Sequence, residues 1–147
     1  MKYQIEVEVD LPRDQMIELF DDPDNLEKWM PNLKSFEHLN GEPGHVGAQS
    51  KFVVSHGKNT CELIETVTVR ELPDKFEGTY EMDGMWNEVK NQFIDIDSLK
   101  TRWIAHSEFK SDKLMMKLMM FLMPGAFKKE SLKFMISFKE FAEKQKL

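Results

Sequence analysis

The stretch VDLPRDQMIELFDDPDNLEKWMPNLKSFEHLNGEPGHVGAQSKF, Val9–Phe52, changes its hydrophobic period twice. It leaves an alternating segment at Pro12, then places Met16, Leu19 and Phe20 at helical spacing. The run breaks at Asp21-Asp22-Pro23, because proline cannot continue a helix. A second short helix is expected from Asp24, with Leu26, Trp29 and Met30 as its apolar face and Pro31 as its stop. From Leu33 the pattern is that of strands, with a first turn from Asn40-Gly41 through Gly47.

Upstream of this stretch, Tyr3, Ile5, Val7, Val9 and Leu11 alternate with Lys2, Gln4, Glu6, Glu8 and Asp10, the signature of a half-buried strand. Downstream, turn signals at His56-Gly57-Lys58-Asn59, Pro73-Asp74, Asp83-Gly84 and Asp97-Ser98 divide the middle of the chain into six strands. Asp83-Gly84 is the clearest hairpin, since tight hairpins need positive φ at their central residues. After Phe109 the period changes for good. Between Phe127 and Leu147, one narrow helical face collects Phe127, Phe134, Phe138 and Phe141 with Ser131, Met135 and Ala142, and lysines cover the other side. Leu132 and Ile136 interrupt the polar side, either as scattered surface hydrophobes or as a subunit contact that would make a homodimer.

Strand, two short helices, six strands and a long terminal helix make an α+β chain, read as a single domain over residues 1–147. The expected architecture is a seven-stranded curved antiparallel sheet with the C-terminal helix on its concave face. One helix about 10–12 Å across cannot fill that concavity, so a cavity is the geometric expectation.

Composition excludes several classes of function. Hydrophobic residues at 41% and charged ones at 31% are the balance of a globular protein. A net charge of −6 disfavours nucleic acid, and the cluster Lys128, Lys129 and Lys133 is diluted by Glu130 and Glu140. The run KLMMKLMMFLMPGAF, Lys113–Phe127, holds five of eleven methionines, yet it is too short to span a bilayer and carries Lys117 inside it, so no stable membrane insertion is expected. MKYQIEVEVDL lacks the apolar run of an export signal, and a cytoplasmic location is the expectation. Cys61 is the single cysteine and can form no internal disulfide. His38, His45, His56 and His106 show no metal-ligand spacing, and neither a nucleophile elbow nor a phosphate loop is present; no metal and no cofactor are expected.

The whole chain resembles the START-like helix-grip superfamily, which includes polyketide cyclase-like proteins and the birch-pollen-allergen type. The resemblance is most specific in Val9–Phe52, through Pro12, Asp21, Asp22, Trp29, Pro31, Gly41, Gly44 and Gly47. It implies a hydrophobic pocket between sheet and terminal helix without naming its ligand, because fold does not specify function.

Strand polarity selects the residues that would face this pocket. Cys61, Leu63, Glu65, Val67 and Val69 form the less polar face of their strand, which brings Glu65 inside, where a carboxylate must be paired or become neutral. A solvated Glu65 in a shifted register is the bland alternative. Tyr80 faces inward with Phe76, Gly78 and Met82. Asn87, Val89, Asn91 and Phe93 are the less charged face of the next strand, and Trp103, Ala105, Ser107 and Phe109 that of the last, which leaves His106 outside.

The candidate ligand-binding residues are Glu65, Tyr80, Asn87, Asn91, Trp103, Met119, Phe127 and Phe134. A few polar groups in an apolar cleft make a small-molecule site, although satisfied polar groups in a filled core give the same pattern. Leu114–Met123 is apolar all round except at Lys117, so it needs cover on every side, and is read as a pocket-side gate hinged at Pro124-Gly125, as a Met-rich core segment, or as a transient membrane contact or dimer surface. The expected function is binding or transport of an apolar small molecule, a lipid or polyketide. The alternatives are a cyclase or dehydratase in which Glu65 or Tyr80 moves a proton, assisted by His56 if its strand turns it inward, and a chaperone-activator-like interaction module.

Overall fold

The structure is a computed structural model that describes residues 1–146; the last position of the predicted C-terminal helix, Leu147, lies outside the described residues. Strand β1 (Lys2–Val9) is followed by helix α1 (Arg13–Phe20), a 3-10 turn over Pro23–Asn25 and helix α2 (Leu26–Trp29). Strands β2 (Leu33–Asn40), β3 (Gln49–His56), β4 (Asn59–Glu71), β5 (Lys75–Met82), β6 (Met85–Ile96) and β7 (Lys100–Ser111) then run in sequence, before α3 (Leu114–Leu122) and α4 (Pro124–Lys144). Local chemistry sets the breaks. Asp22 caps the 3-10 turn through a 2.9 Å bond from the Asp24 N–H, and Pro124 occupies the first turn of α4, where its missing N–H costs nothing. The β6–β7 turn holds both Asp97 and Ser98 at positive φ, with Asp95 Oδ1 accepting from the Ser98 N–H at 3.1 Å.

The seven strands form one antiparallel sheet in the order β1-β7-β6-β5-β4-β3-β2, so the chain crosses from one edge to the other through α1 and α2 and then meanders back. The helix α4 packs chiefly against β1. Met135, Phe138 and Ala142 form its buried stripe, while Phe127, Ser131 and Phe141 are half-buried and Phe134 is 40% exposed at the margin. Leu132 packs against the core rather than standing free on the surface, and Ile136 is exposed.

The concave face has two ends. At the lower end, beside α1, Phe20 is the hub of an aromatic cluster, with ring centroids 5.2 Å from Phe93, 5.6 Å from Trp103, 5.8 Å from Phe138 and 5.9 Å from Phe76. All four contacts are edge-on, the arrangement that ring quadrupoles favour. This end is filled. At the upper end, toward the β5–β6 hairpin, the inward residues Leu63, Glu65, Tyr80 and Phe109 are only half-buried.

The register corrects one sequence expectation. Val67 pairs with Gly78 but Val69 pairs with Glu77, leaving Thr68 as an extra residue. This bulge reverses the alternation beyond it. Val69 therefore shares a face with Glu77 and points outward, whereas Arg70 shares the inward face with its partner Phe76. There Arg70 clamps Asp21 in a bidentate pair at 2.8 and 2.6 Å and donates to the Gly44 carbonyl at 3.0 Å. The clamp ties the α1 terminus to the β2–β3 loop; at Gly44, which sits at φ +79, a Cβ would be strained and would press on the guanidinium at 3.1 Å.

Candidate functional site

A polar row crosses the upper concave face because direct partners in an antiparallel sheet point the same way. Ser50 pairs with Glu65, Glu65 with Tyr80, Tyr80 with Asn87, and Asn87 with Phe109. The Tyr80 hydroxyl donates to Glu65 Oε2 at 2.8 Å. Both side chains are recessed among many protein atoms, yet both keep accessible surface. Enclosed on most sides but still reachable, the pair lies in a half-open recess, the upper cleft, at this end of the concave face.

Burial pushes the Glu65 carboxyl above the usual carboxylate range, and the Tyr80 hydrogen bond opposes this only in part. Burial also pushes Tyr80 well above the usual phenol value, reinforced by the Glu65 charge and by the hydrogen bond it donates. The pair retains unused capacity: the second carboxyl oxygen and the phenol oxygen can each accept a proton from a donor placed in the cleft. When Glu65 is protonated it becomes a donor as well.

Aromatic and aliphatic groups surround this row. The Phe52 ring lies 6.5 Å from Tyr80 and 5.0 Å from Phe36. From the other side Phe127 meets Phe109 at 5.2 Å, and Tyr3 stacks on Phe109 at 6.1 Å. The Tyr3 hydroxyl reaches Ser131 Oγ and the Phe127 carbonyl, which fixes the first turns of α4 over β1. Phe134 packs edge-on against Trp29 at 4.7 Å, and the Trp29 indole Nε1 is buried without a hydrogen-bond partner.

The structure thus separates the sequence-predicted residues into two groups. Glu65, Tyr80 and Asn87 share the polar row, and Phe127 packs on Phe109 at its end; Phe134 stands farther along α4, beside Trp29. Asn87 is already engaged, donating to Ser107 Oγ at 2.9 Å and to the Glu108 carbonyl at 3.0 Å. Asn91 and Trp103 stand at the filled lower end, where Asn91 Oδ1 accepts the Trp103 indole proton at 2.8 Å and Trp103 is 2% exposed. This is a satisfied buried pair that holds the core.

Met119 stands on α3, 39% exposed, and no residue of α3 is buried. The expectation that Leu114–Met123 is covered all round is therefore corrected: the segment lies on the outside of the molecule, with only Met116 and Met120 half-buried. The break at Pro124 is present as expected, with Met123 linking α3 to α4. His56 shares the inward side of β3 but sits exposed in the β3–β4 turn region, six positions and about 20 Å along the strand from Ser50. It cannot assist Glu65.

Sequence reasoning missed Ser50 and Phe52. Their signal was the alternation of Ser50, Phe52 and Val54 against Gln49, Lys51 and Val53, weakened because Val53 breaks the polar face.

Two open depressions of about 330 Å³ and 400 Å³ lie elsewhere, one between Pro23–Glu27 and Leu33–Phe36, the other around Cys61 and Met82. Among the described residues no helix is long and apolar enough to cross a membrane.

No family model and no curated protein matches the sequence. Solved structures match over nearly the whole chain. The Zhui aromatase/cyclase from Streptomyces sp. R1128 superposes with a TM-score of 0.83 at 12% identity, covering 99% of this chain and 94% of that one. A START superfamily protein from Mycobacterium smegmatis gives 0.78 at 13% identity over 99% of both chains. Norcoclaurine synthase from Thalictrum flavum, in complex with dopamine and hydroxybenzaldehyde, gives 0.75 at 12% identity over 100% of this chain and 88% of that one. With the strand order, the α1–α2 crossover and the long terminal helix all in place, this chain has the START-like helix-grip fold.

Proposed function

We propose that the chain is a single-domain cytoplasmic protein that binds an apolar small molecule, a lipid or polyketide, in the upper cleft between the sheet and the first half of α4. The observation that carries this reading is the Glu65–Tyr80 pair, deeply recessed yet accessible, in a setting of half-buried apolar side chains. An apolar pocket with few convergent polar groups orients a ligand through those groups and holds it through its walls. Phe52, Leu63, Phe109 and Phe127 supply the walls, and the pair supplies the polar end. A solvatochromic apolar dye such as Nile red tests the reading. The dye should bind and be displaced by long-chain apolar molecules, and Tyr80→Arg should abolish both effects; a protein that takes up no dye and no lipid or polyketide contradicts it.

Catalysis is a second reading, favoured by the raised Glu65 carboxyl. Such a group can hold or release a proton nearer neutrality than an ordinary glutamate, as a cyclisation or dehydration requires. Two proteins of this fold, the aromatase/cyclase and norcoclaurine synthase, carry enzyme names. Turnover of a bound substrate that stops in Glu65→Gln while binding persists would establish this role; binding without turnover in both proteins would leave a carrier.

A further inference from the structure

The helix α3 presents its apolar side to solvent. At 100° per residue, Leu114, Met115, Leu118, Phe121 and Leu122 fall within about 120° of arc, and the half-buried Met116 and Met120 point the opposite way. Leu114 is 83% and Phe121 80% exposed, so the stripe faces away from the body of the protein. Five large side chains aligned on one exposed helix are not the scattered hydrophobes of an ordinary surface.

The surrounding charge is opposite in sign to that of the whole chain. Residues 113–133 hold five lysines and one glutamate, a net of +4, in a chain of net −6, so the remaining residues sum to −10. Lys113 pairs with Asp83 and Lys133 with Glu130, while Lys117, Lys128 and Lys129 have no acidic partner among the described residues. Lys128 and Lys129 lie in the first two turns of α4, directly after the Met123–Pro124 junction that ends α3.

We propose that α3 docks the protein on a membrane surface carrying anionic phospholipid, with the stripe entering the boundary between headgroups and acyl chains and Lys117, Lys128 and Lys129 meeting the phosphates. Charge selects this occupant. A second copy bound through the same face would set the unpaired Lys117, Lys128 and Lys129 of one copy against those of the other, whereas an anionic bilayer offers apolar depth and negative charge together. The nine residues of α3 cannot span, so the contact is peripheral and reversible. The proposal does not depend on what the cleft holds.

Flotation of the full chain with phosphatidylcholine vesicles, with and without phosphatidylglycerol, tests it. The protein should float with the anionic vesicles and stay behind with the neutral ones. Neutralising Lys117, Lys128 and Lys129 to Gln should weaken binding by about fivefold for each lysine. Phe121→Ser with Leu122→Ser should weaken it by about tenfold or more. All five side chains are exposed, and an unchanged circular dichroism spectrum separates lost docking from lost folding. Absence from anionic vesicles, equal flotation with neutral ones, or binding that survives both sets of changes overturns the proposal. A dimer in solution that Phe121→Ser with Leu122→Ser dissociates overturns it in favour of a second copy.

Discussion

Glu65 and Tyr80 are direct partners across β4 and β5, and the phenol donates to the carboxyl at 2.8 Å. Burial raises the Glu65 pKa in the folded chain above its ordinary 4.5, so the folded protein keeps a proton that the unfolded chain has released. The stability tied to this group is full below pH 4.5 and is lost as pH rises through the folded value. Glu65→Gln cannot titrate. Urea unfolding across a pH series should show the variant gaining on the parent protein above about pH 4.5 and running parallel to it below. Curves that stay parallel throughout would place Glu65 in water.

A ligand of the upper cleft should be selected by charge as well. The polar row of the cleft contains an acid and no free cation, since the inward Arg70 is held by Asp21. At a pH where Glu65 is ionised, a long-chain alcohol or amine should bind about tenfold or more tightly than the carboxylic acid of equal length, because the acid brings a second anion toward Glu65. Glu65→Gln should narrow the gap. Equal affinity for acid and alcohol in competition titrations would contradict this polarity.

The lower end is expected to respond differently. Asn91→Leu leaves the buried Trp103 indole proton without its acceptor, which should cost about 1–3 kcal/mol of unfolding free energy. Ligand affinity should stay within about twofold, since the two ends of the concave face are separate. A large affinity loss in a variant that remains folded would join Asn91 to the binding site.

Arg70→Ala breaks the clamp on Asp21 and Gly44. A loss of about 1–2 kcal/mol is expected, reduced by the partial exposure of the pair. Amide exchange should accelerate locally across residues 41–47, which the clamp holds against α1. Arg70→Lys should recover little, because an ammonium cannot reproduce the two-pronged contact. Exchange rates unchanged in the loop would show that its glycine turns hold it unaided.

Much of this architecture was legible in the sequence because burial on one face imposes a period. Tyr3 to Val9 read as a half-exposed strand, and Met135, Phe138 and Ala142 as the helical stripe, for that reason. The inward placing of Glu65 and Tyr80 followed from the same alternation. Arg70 did not, because a bulge at Thr68 adds one residue without altering composition, and everything beyond it changes face. Asn91 and Asn87 looked alike on one strand; which of them stood near a cleft depended on Phe20, a residue some seventy positions earlier, filling the lower end. The Met-rich helix misled for a related reason. Apolar composition shows that a segment favours cover, and nothing within it says that the cover is another part of the chain.

Native mass spectrometry of the freshly purified protein, followed by denaturing extraction of anything released, tests most directly whether the upper cleft holds an apolar molecule. A discrete apolar adduct is expected, retained by Asn91→Leu and lost in Tyr80→Arg. A clean unliganded mass, with no uptake from a panel of lipids and polyketides, would contradict the binding function.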